Sequence, residues 1–409
     1  MTQKHPMSPL ILIPAGLAIV ASTYGLARYT YGLFVPQIQA DYGLSVEVMG
    51  LIASGSYAGY LVATVFGSLV SGIFGPRFPV VLGGCSATAG MTVIALSHDP
   101  WLLAFGVILA GTSPGLSYPP MSDTVMQLIA EPHRNRTYAI INSGTSVGVI
   151  IAGPAALLAT GDWRWAWIAF AVFAGISTAW NAFLLPTEPY RHGDGESPRL
   201  NWRWFFSDAS SRRLFLSATI FGIVTAVYWT FAVDLLVREG GLSPNQSTAF
   251  WVLIGAFGLL GGSAGDLVTK FGLRRVFQAS LILIAGAIGG LTFVSDQVFF
   301  VSLSGAIFGA TFILVTGLFG IWSVNLFYDR PAAGFGATFF LISVGQLIGP
   351  SIAGVLAAQT SMAIAFQLAA ILCCVTIALG PRRDVYSMSQ PAPSEREMSD
   401  MSVEKVAAE

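Results

Sequence analysis

The sequence predicts an all-α membrane protein of twelve transmembrane helices, arranged as two parallel-repeat six-helix bundles. Three observations predict it. Only 10% of the 409 residues are charged while 54% are hydrophobic, against roughly 25% charged in a soluble domain. Twelve apolar segments each approach or exceed the ~20 residues that a helix needs to cross a bilayer. Short motifs in the first six segments also recur, in order, in the second six.

A soluble chain of this length could bury a large core, but it would need a charged surface to meet water. With a mean hydropathy of +0.69, most of the surface is expected to face lipid. The first set of spans runs over 10–35, 48–74, 79–96, 101–128, 138–160 and 164–186, and the second over 213–237, 247–269, 276–295, 298–327, 332–357 and 361–381. The opening MTQKHPMSPLILIP resembles the start of a signal peptide. Further spans follow and Arg28 interrupts the first, so it is read as an uncleaved helix. The expected organisation is therefore a bundle over 1–186, a polar linker over 187–212, a bundle over 213–381 and a disordered tail over 382–409.

Loop charge gives the orientation. With the N-terminus in the cytoplasm, 17 of the 20 basic residues fall on the inner side. Arg164 and Arg238 lie outside and Arg28 within the membrane. Both termini and the linker are expected in the cytoplasm.

The repeat follows one offset. YGLS at Tyr42–Ser45 returns as GGLS at Gly240–Ser243, and GSLVSGIFGPRFP from Gly67 returns as GDLVTKFGLRRVF from Gly265, both 198 residues on. Gly153-Pro154 returns as Gly349-Pro350 after 196. Six spans per repeat is an even number, so the repeats run parallel. These features resemble a transporter of the major facilitator superfamily over residues 8–381. Its Gly-x-Leu-x-Asp-Arg-x-Gly-Arg-Arg loop after helices 2 and 8 is matched at Gly265, Lys270, Gly272, Arg274 and Arg275, with Thr269 in place of the Asp. The copy from Gly67 to Arg77 carries Ser71 there, Gly72 in place of the Arg, and one inserted residue. The resemblance implies gating roles for Gly67, Arg77, Gly265, Lys270, Gly272 and Arg274, with a latch that lacks its carboxylates. VILAGTSPGLSYPP lacks the family's helix 4 arginine, and GTSVGVIIAGP partly resembles its antiporter motif. GLARYTYGLFVPQIQADYGLS resembles the YbfB/YjiJ-like bacterial branch.

Arg28 stands out because a buried arginine costs a few kcal/mol on insertion scales. Helical rise places it about 12 Å below the outer surface. Asp234 corresponds to Pro36 by the repeat, eight residues further out, so a direct pair would span about 12 Å along the axis. Asp123 and Asp266 should lie near the cytoplasmic face. Three readings stay open: a substrate anion held by the guanidinium fork, structural bonding to carbonyls, or a gate with Asp234. Tyr24 at i−4 and Tyr31 at i+3 share its face if the helix is regular. By the repeat Tyr31 corresponds to Trp229, so Tyr228 and Trp229 are expected at the same cavity, with Gln346 mid-span in helix 11. Thr112, Tyr118, Asn142 and Thr145 are further polar candidates for which helix packing is an equal explanation. Trp163, Trp165 and Trp167 are expected as interfacial anchors, and Cys85, Cys373 and Cys374 as small core residues.

The composition excludes other classes. The net charge of −1 gives no footprint for nucleic acid. The four histidines, His5, His98, His133 and His192, fall in termini or loops. No metal-ligand spacing, phosphate loop or catalytic set appears, so no enzyme, metal or cofactor is expected. The expected function is secondary active transport, by alternating access, of a small organic solute, an anion or a metabolite with a planar body. A coupling proton or an exchanged anion could accompany it, and the unit is expected to be a monomer. The alternative is an efflux pump for drugs or neutral metabolites with Arg28 structural, and behind it a channel or a membrane sensor.

Overall fold

The computed structural model describes residues 7–159, 161–188, 209–293, 295–328 and 331–382. Most of the expected linker, and the expected tail beyond Arg382, lie outside the described residues. So do Lys4, His5, Arg191, His192 and Arg330.

Among the described residues twelve helices are long and apolar enough to cross a membrane. They are α1 (Pro9–Tyr42), α2 (Val46–Phe74), α3 (Arg77–Leu96), α4 (Pro100–Leu128), α5 (Glu131–Leu158), α6 (Arg164–Leu184), α7 (Ala209–Arg238) and α8 (Pro244–Phe271). After these come α9 (Leu273–Leu291), α10 (Val298–Leu326), α11 (Pro331–Gln359) and α12 (Met362–Leu379). Local chemistry sets many of the ends. Ser45, Asp99 and Ser361 cap α2, α4 and α12 by accepting backbone N–H bonds, and Ser243 with Gln246 forms a reciprocal capping box at α8. Gly43 (φ 63°) and Gly272 (φ 82°) close α1 and α8 in a conformation that favours glycine.

Several bounds differ from the apolar runs, because polar residues can extend a helix that hydropathy does not register. α1 runs through Pro36 to Tyr42, α5 starts at Glu131 with polar first turns that include His133, and α7 starts at Ala209 inside the expected linker. α4 stays one helix through Pro114, Pro119 and Pro120.

The two sets of six helices pack as repeats. α3 packs on α4 and α6, as α9 packs on α10 and α12; α1 packs on α5, as α7 packs on α11. Across the halves α2 meets α11, α8 meets α5, and α1 meets α7. The cross-half contacts obey the sequence offset too. Gly50 lies against the Pro350 carbonyl, and its repeat mate Thr248 lies against Gly153 beside Pro154. At the centre a Cβ on Gly32 would run into the Trp229 carbonyl, so the missing side chain lets α1 and α7 cross. Of α7's apolar stretch 83% is buried, the largest share among the twelve, so α7 is a central helix.

Two expectations need correction. Trp165 is exposed, but Trp163 is buried and donates Nε1–H to Asp41 at 2.8 Å, while Trp167 packs under Phe34 and Phe170. A helix end facing its own bundle needs aromatic filling as much as the interface does. Cys373 is a core residue, whereas Cys85 and Cys374 are exposed.

Candidate substrate site

The site begins with a change of helix pitch. Residues Ala21–Tyr29 of α1 form a π-helix. Ser22 and Thr23 return their hydroxyls to the carbonyls of Ala18 and Ile19, and Thr30 donates to Gly25 O at 2.8 Å. Such bonds compete with the backbone ladder and widen it locally. Gly25 packs on the backbone of Thr145 and Gly148 in α5, which leaves the turn no room for a side chain. A π-helix closes i→i+5 bonds and takes more residues per turn than an α-helix, so positions four and five apart share a side of α1. Tyr24 and Tyr29 therefore flank Arg28 together.

The guanidinium sits in a cage. Its Cζ lies 3.8 Å from the ring centroid of Tyr60, 4.9 Å from Tyr57, 5.3 Å from Tyr29 and 5.4 Å from Tyr24. Each aromatic face offers the cation electrostatic attraction worth about 0.5–2 kcal/mol. Arg28 Nη2 donates to Gln346 Oε1 at 2.6 Å, a bond that joins α1 to α11 across the halves. Nε is buried without a hydrogen-bond partner. Beside it a cavity with room for about one water is lined by Arg28, Tyr29, Tyr31, Gly32, Ala53, Ser56, Tyr57, Trp229 and Thr230.

Arg28, Tyr24 and Gln346 thus come together as sequence reasoning expected. Trp229 reaches the site by stacking on Tyr29, with centroids 4.4 Å apart. Tyr31 lines the cavity, but its hydroxyl donates to Met49 O at 3.3 Å and it takes no place around the guanidinium. Tyr228 is misplaced by the repeat argument. It faces the interior of the second half, stacked on Phe308 at 3.8 Å and bonded to Ser304 at 2.8 Å. Adjacent residues on one helix point about 100° apart, so Trp229 and Tyr228 could not both face Arg28. Asp234 pairs with Arg238 on its own helix at 2.8 Å. Tyr29, Tyr57 and Tyr60 were missed, although SYAGY shows two tyrosines at i, i+3 on one face of α2.

The described contacts of the gating candidates lie within single halves. Gly67 packs on Gly115 and Leu116 of α4. Arg77 ties the start of α3 to the end of α6 through Leu185 O and Pro186 O. A Cβ on Gly265 would meet open space, Lys270 Nζ lies 5.2 Å from the Phe271 ring, Gly272 makes the turn into α9, and Arg274 is exposed. Ser71, where the resembling family has a carboxylate, donates to Asp123 of α4 at 3.2 Å, so a neighbouring helix supplies one. Among the described residues no group of three His, Cys, Asp or Glu side chains could hold a metal ion.

A family model for the Major Facilitator Superfamily matches residues 17–340. The chain belongs to this superfamily. It is 25% identical over 376 residues to the hexuronate transporter of Bacillus subtilis (strain 168), covering 82% of this chain and 85% of the relative. It is 32% identical to the multidrug resistance protein MdtH of Shigella boydii, but over 126 residues, 30% of this chain and 31% of that protein. A solved bacterial homolog of the human lysosomal transporter Spinster, inward-facing and unoccupied, superposes with a TM-score of 0.69 at 12% identity. That match covers 91% of this chain and 94% of the other, and it shows a shared fold.

Proposed function

We propose that this superfamily member is a secondary transporter that moves a small organic anion with a planar or ring-shaped body across the bacterial inner membrane by alternating access. The observation that carries the reading is Arg28, a permanent cation inside the bundle whose described partners are an amide and four aromatic rings, with Nε left unpaired. A carboxylate would accept from two guanidinium nitrogens at once. It would take the place of Gln346 Oε1, and so exchange a bond between the halves for a bond to the substrate. The Bacillus subtilis relative named for hexuronates, which carry a carboxylate, supports the same reading.

In this proposal both termini are cytoplasmic and the basic loops after α2 and α8 close the inner side. The hydrogen bonds described between the halves, Arg28–Gln346, Ser54–Ser351 and Gln39–Arg238, lie at Arg28's level or further from those loops. The transporter works as a monomer, and a proton or an exchanged anion drives it. A second reading, export of drugs or neutral metabolites, has specific support in the local match to MdtH and in the ring cage that could satisfy Arg28 without a ligand.

Affinity and counterflow measured on purified, monodisperse protein across a panel of organic anions separate the two. Arg28→Lys keeps the charge but not the fork, so binding weakens while some transport survives. Arg28→Gln abolishes anion binding with the fold intact. Wild-type anion affinity in Arg28→Gln overturns the proposal, and undiminished transport of a neutral solute by that variant favours export.

A further inference from the structure

We propose that the site selects hydroxylated carboxylates. Beside Arg28 the first half builds a wall of phenol hydroxyls and one amide whose hydrogen-bonding capacity fits the alternating donors and acceptors of a sugar acid. This rests on the anion reading above and names its substrate class.

The wall is continuous. Tyr24, 5.4 Å from the Arg28 guanidinium carbon, stands edge-on to Tyr118 at 5.3 Å, and Tyr118 meets Tyr138 at 5.8 Å. These rings come from α1, α4 and α5, with Tyr60 of α2 beside them. Their hydroxyls bond one another: Tyr24 to Tyr60 at 3.0 Å, and Tyr118 to Tyr138 at 2.6 Å and to Asn142 Oδ1 at 2.8 Å. Arg28, Tyr29 and Tyr57 are buried, but Tyr24, Tyr60, Tyr118, Tyr138 and Asn142 are all half-exposed. Tyr24, Tyr118 and Tyr138 pack against the cluster that holds Val80, Met121, Val125 and Ile129, so the wall runs from Arg28 toward the end of the bundle that holds Arg77.

Proton counting shows the spare capacity. A phenol has one proton, so Tyr118 cannot donate to both of its neighbours. Tyr118 donates to Tyr138 or to Asn142 Oδ1, one at a time. That leaves the Tyr138 proton and the Asn142 amide N–H groups as donors, with lone pairs on Tyr118 as acceptors. The Tyr24–Tyr60 pair likewise keeps one proton to give. Among the described residues the second half brings no hydroxyl of this kind to the site: the rings of Trp229 and Phe312 meet Tyr29 there, with Phe308 packed behind them. Its one phenol nearby, Tyr228, is turned away to Ser304.

A polyhydroxy acid matches this division. Its carboxylate takes Arg28, its hydroxyls take the first half, and its C–H face lies on the aromatic rings. An aryl carboxylate would cover the phenols and the amide without pairing them, which costs it affinity. A neutral sugar would forfeit Arg28.

Binding of D-glucuronate, D-galacturonate, D-gluconate, benzoate and D-glucose to the purified full chain tests this. At least one hydroxylated acid is expected to bind tenfold tighter than benzoate and D-glucose. Tyr118→Phe and Asn142→Leu should each weaken that acid about tenfold and leave benzoate within twofold. If Tyr118→Phe does not fold, Tyr138→Phe reads the same network. Benzoate binding as tightly as every hydroxylated acid overturns the inference, as does unchanged affinity for the acids in the wall variants. Loss in Arg28→Gln with no change in the wall variants sinks this inference and spares the anion reading. Wild-type affinity in Arg28→Gln sinks both.

Discussion

Arg238 donates from Nη2 to Gln39 Oε1 at 2.6 Å, so the last residue of α7 is bonded to α1 of the other half. This bond lies at the end of the bundle away from Arg77 and holds the halves together there. Gln39→Leu removes the acceptor and leaves the pair between Arg238 and Asp234. The Arg238 side chain is 53% exposed, so screening keeps the bond at about 1 kcal/mol. The expected result is a roughly fivefold shift toward conformations open at that end. Distance distributions between spin labels at Glu47 and Thr360 would report it, and identical distributions in both proteins would refute a latch.

Removing Arg238 should do more than release the latch. Asp234 is buried, and Arg238 Nε lies 2.8 Å from its Oδ1. Arg238→Ala leaves that carboxylate without its partner, which should cost about 1–3 kcal/mol of stability. Adding Asp234→Asn should restore most of the loss. Thermal unfolding of the single and double variants in one detergent checks this, and a double variant no better than Arg238→Ala alone counts against a penalty from the stranded charge.

The two repeat-related glycines, Gly67 in the last turns of α2 and Gly265 in those of α8, should respond differently. A Cβ on Gly67 would come within 2.8 Å of the Gly115 carbonyl and 3.0 Å of Leu116 Cα, while one on Gly265 would meet nothing within 4 Å. Gly67→Leu should therefore lower yield and melting temperature, because backbone atoms cannot yield as a side chain can. Gly265→Leu should fold as well as the wild type. Any transport it loses then reports a state in which the loops after α2 and α8 close. Equal destabilisation in both variants would contradict the packing described here.

Much of this architecture is legible in the sequence, because a bilayer demands long apolar helices and because the repeat leaves Gly-Pro and loop motifs at one offset. Arg28 is legible for the same reason: a charge in an apolar run is conspicuous. Its surroundings are not. The i−4 and i+3 rule for a regular helix selects Tyr24 and Tyr31, whereas the π-turn selects Tyr24 and Tyr29. Nothing local announces that turn, which arises where Gly25 packs against α5 and hydroxyls pull on carbonyls. Tyr57 and Tyr60 enter from another helix, a relation that one sequence does not encode locally. Trp167 misleads in the opposite sense, since a tryptophan near a helix end looks interfacial and is in fact core.

Orientation can be read directly. On a background with the native cysteines replaced, Thr269→Cys near the Arg77 end should resist a membrane-impermeant thiol reagent added to intact cells. Gln297→Cys, at the start of α10 on the opposite end, should react. The basic residues concentrated at the ends of α2, α4 and α8 motivate the assignment. The reverse pattern of labelling would invert the proposed topology.

The cage around Arg28 makes a prediction that separates ring from hydroxyl. Tyr60 is the nearest of the four rings, 3.8 Å from the guanidinium carbon, and its hydroxyl bonds Tyr24 at 3.0 Å. If the aromatic face offsets the cost of the buried charge, Tyr60→Leu should destabilise the protein by about 1–2 kcal/mol. Tyr60→Phe keeps the face and should cost much less. Substrate affinity should follow the other group: Tyr60→Phe removes a hydroxyl from the wall beside Arg28 and should weaken a hydroxylated acid. Thermal stability and binding measured on the same two preparations give the contrast. Equal melting temperatures for Tyr60→Leu and Tyr60→Phe would mean that the ring does not stabilise the cation. Arg28 would then owe its stability to Gln346, and Gln346→Leu should be the variant that unfolds first.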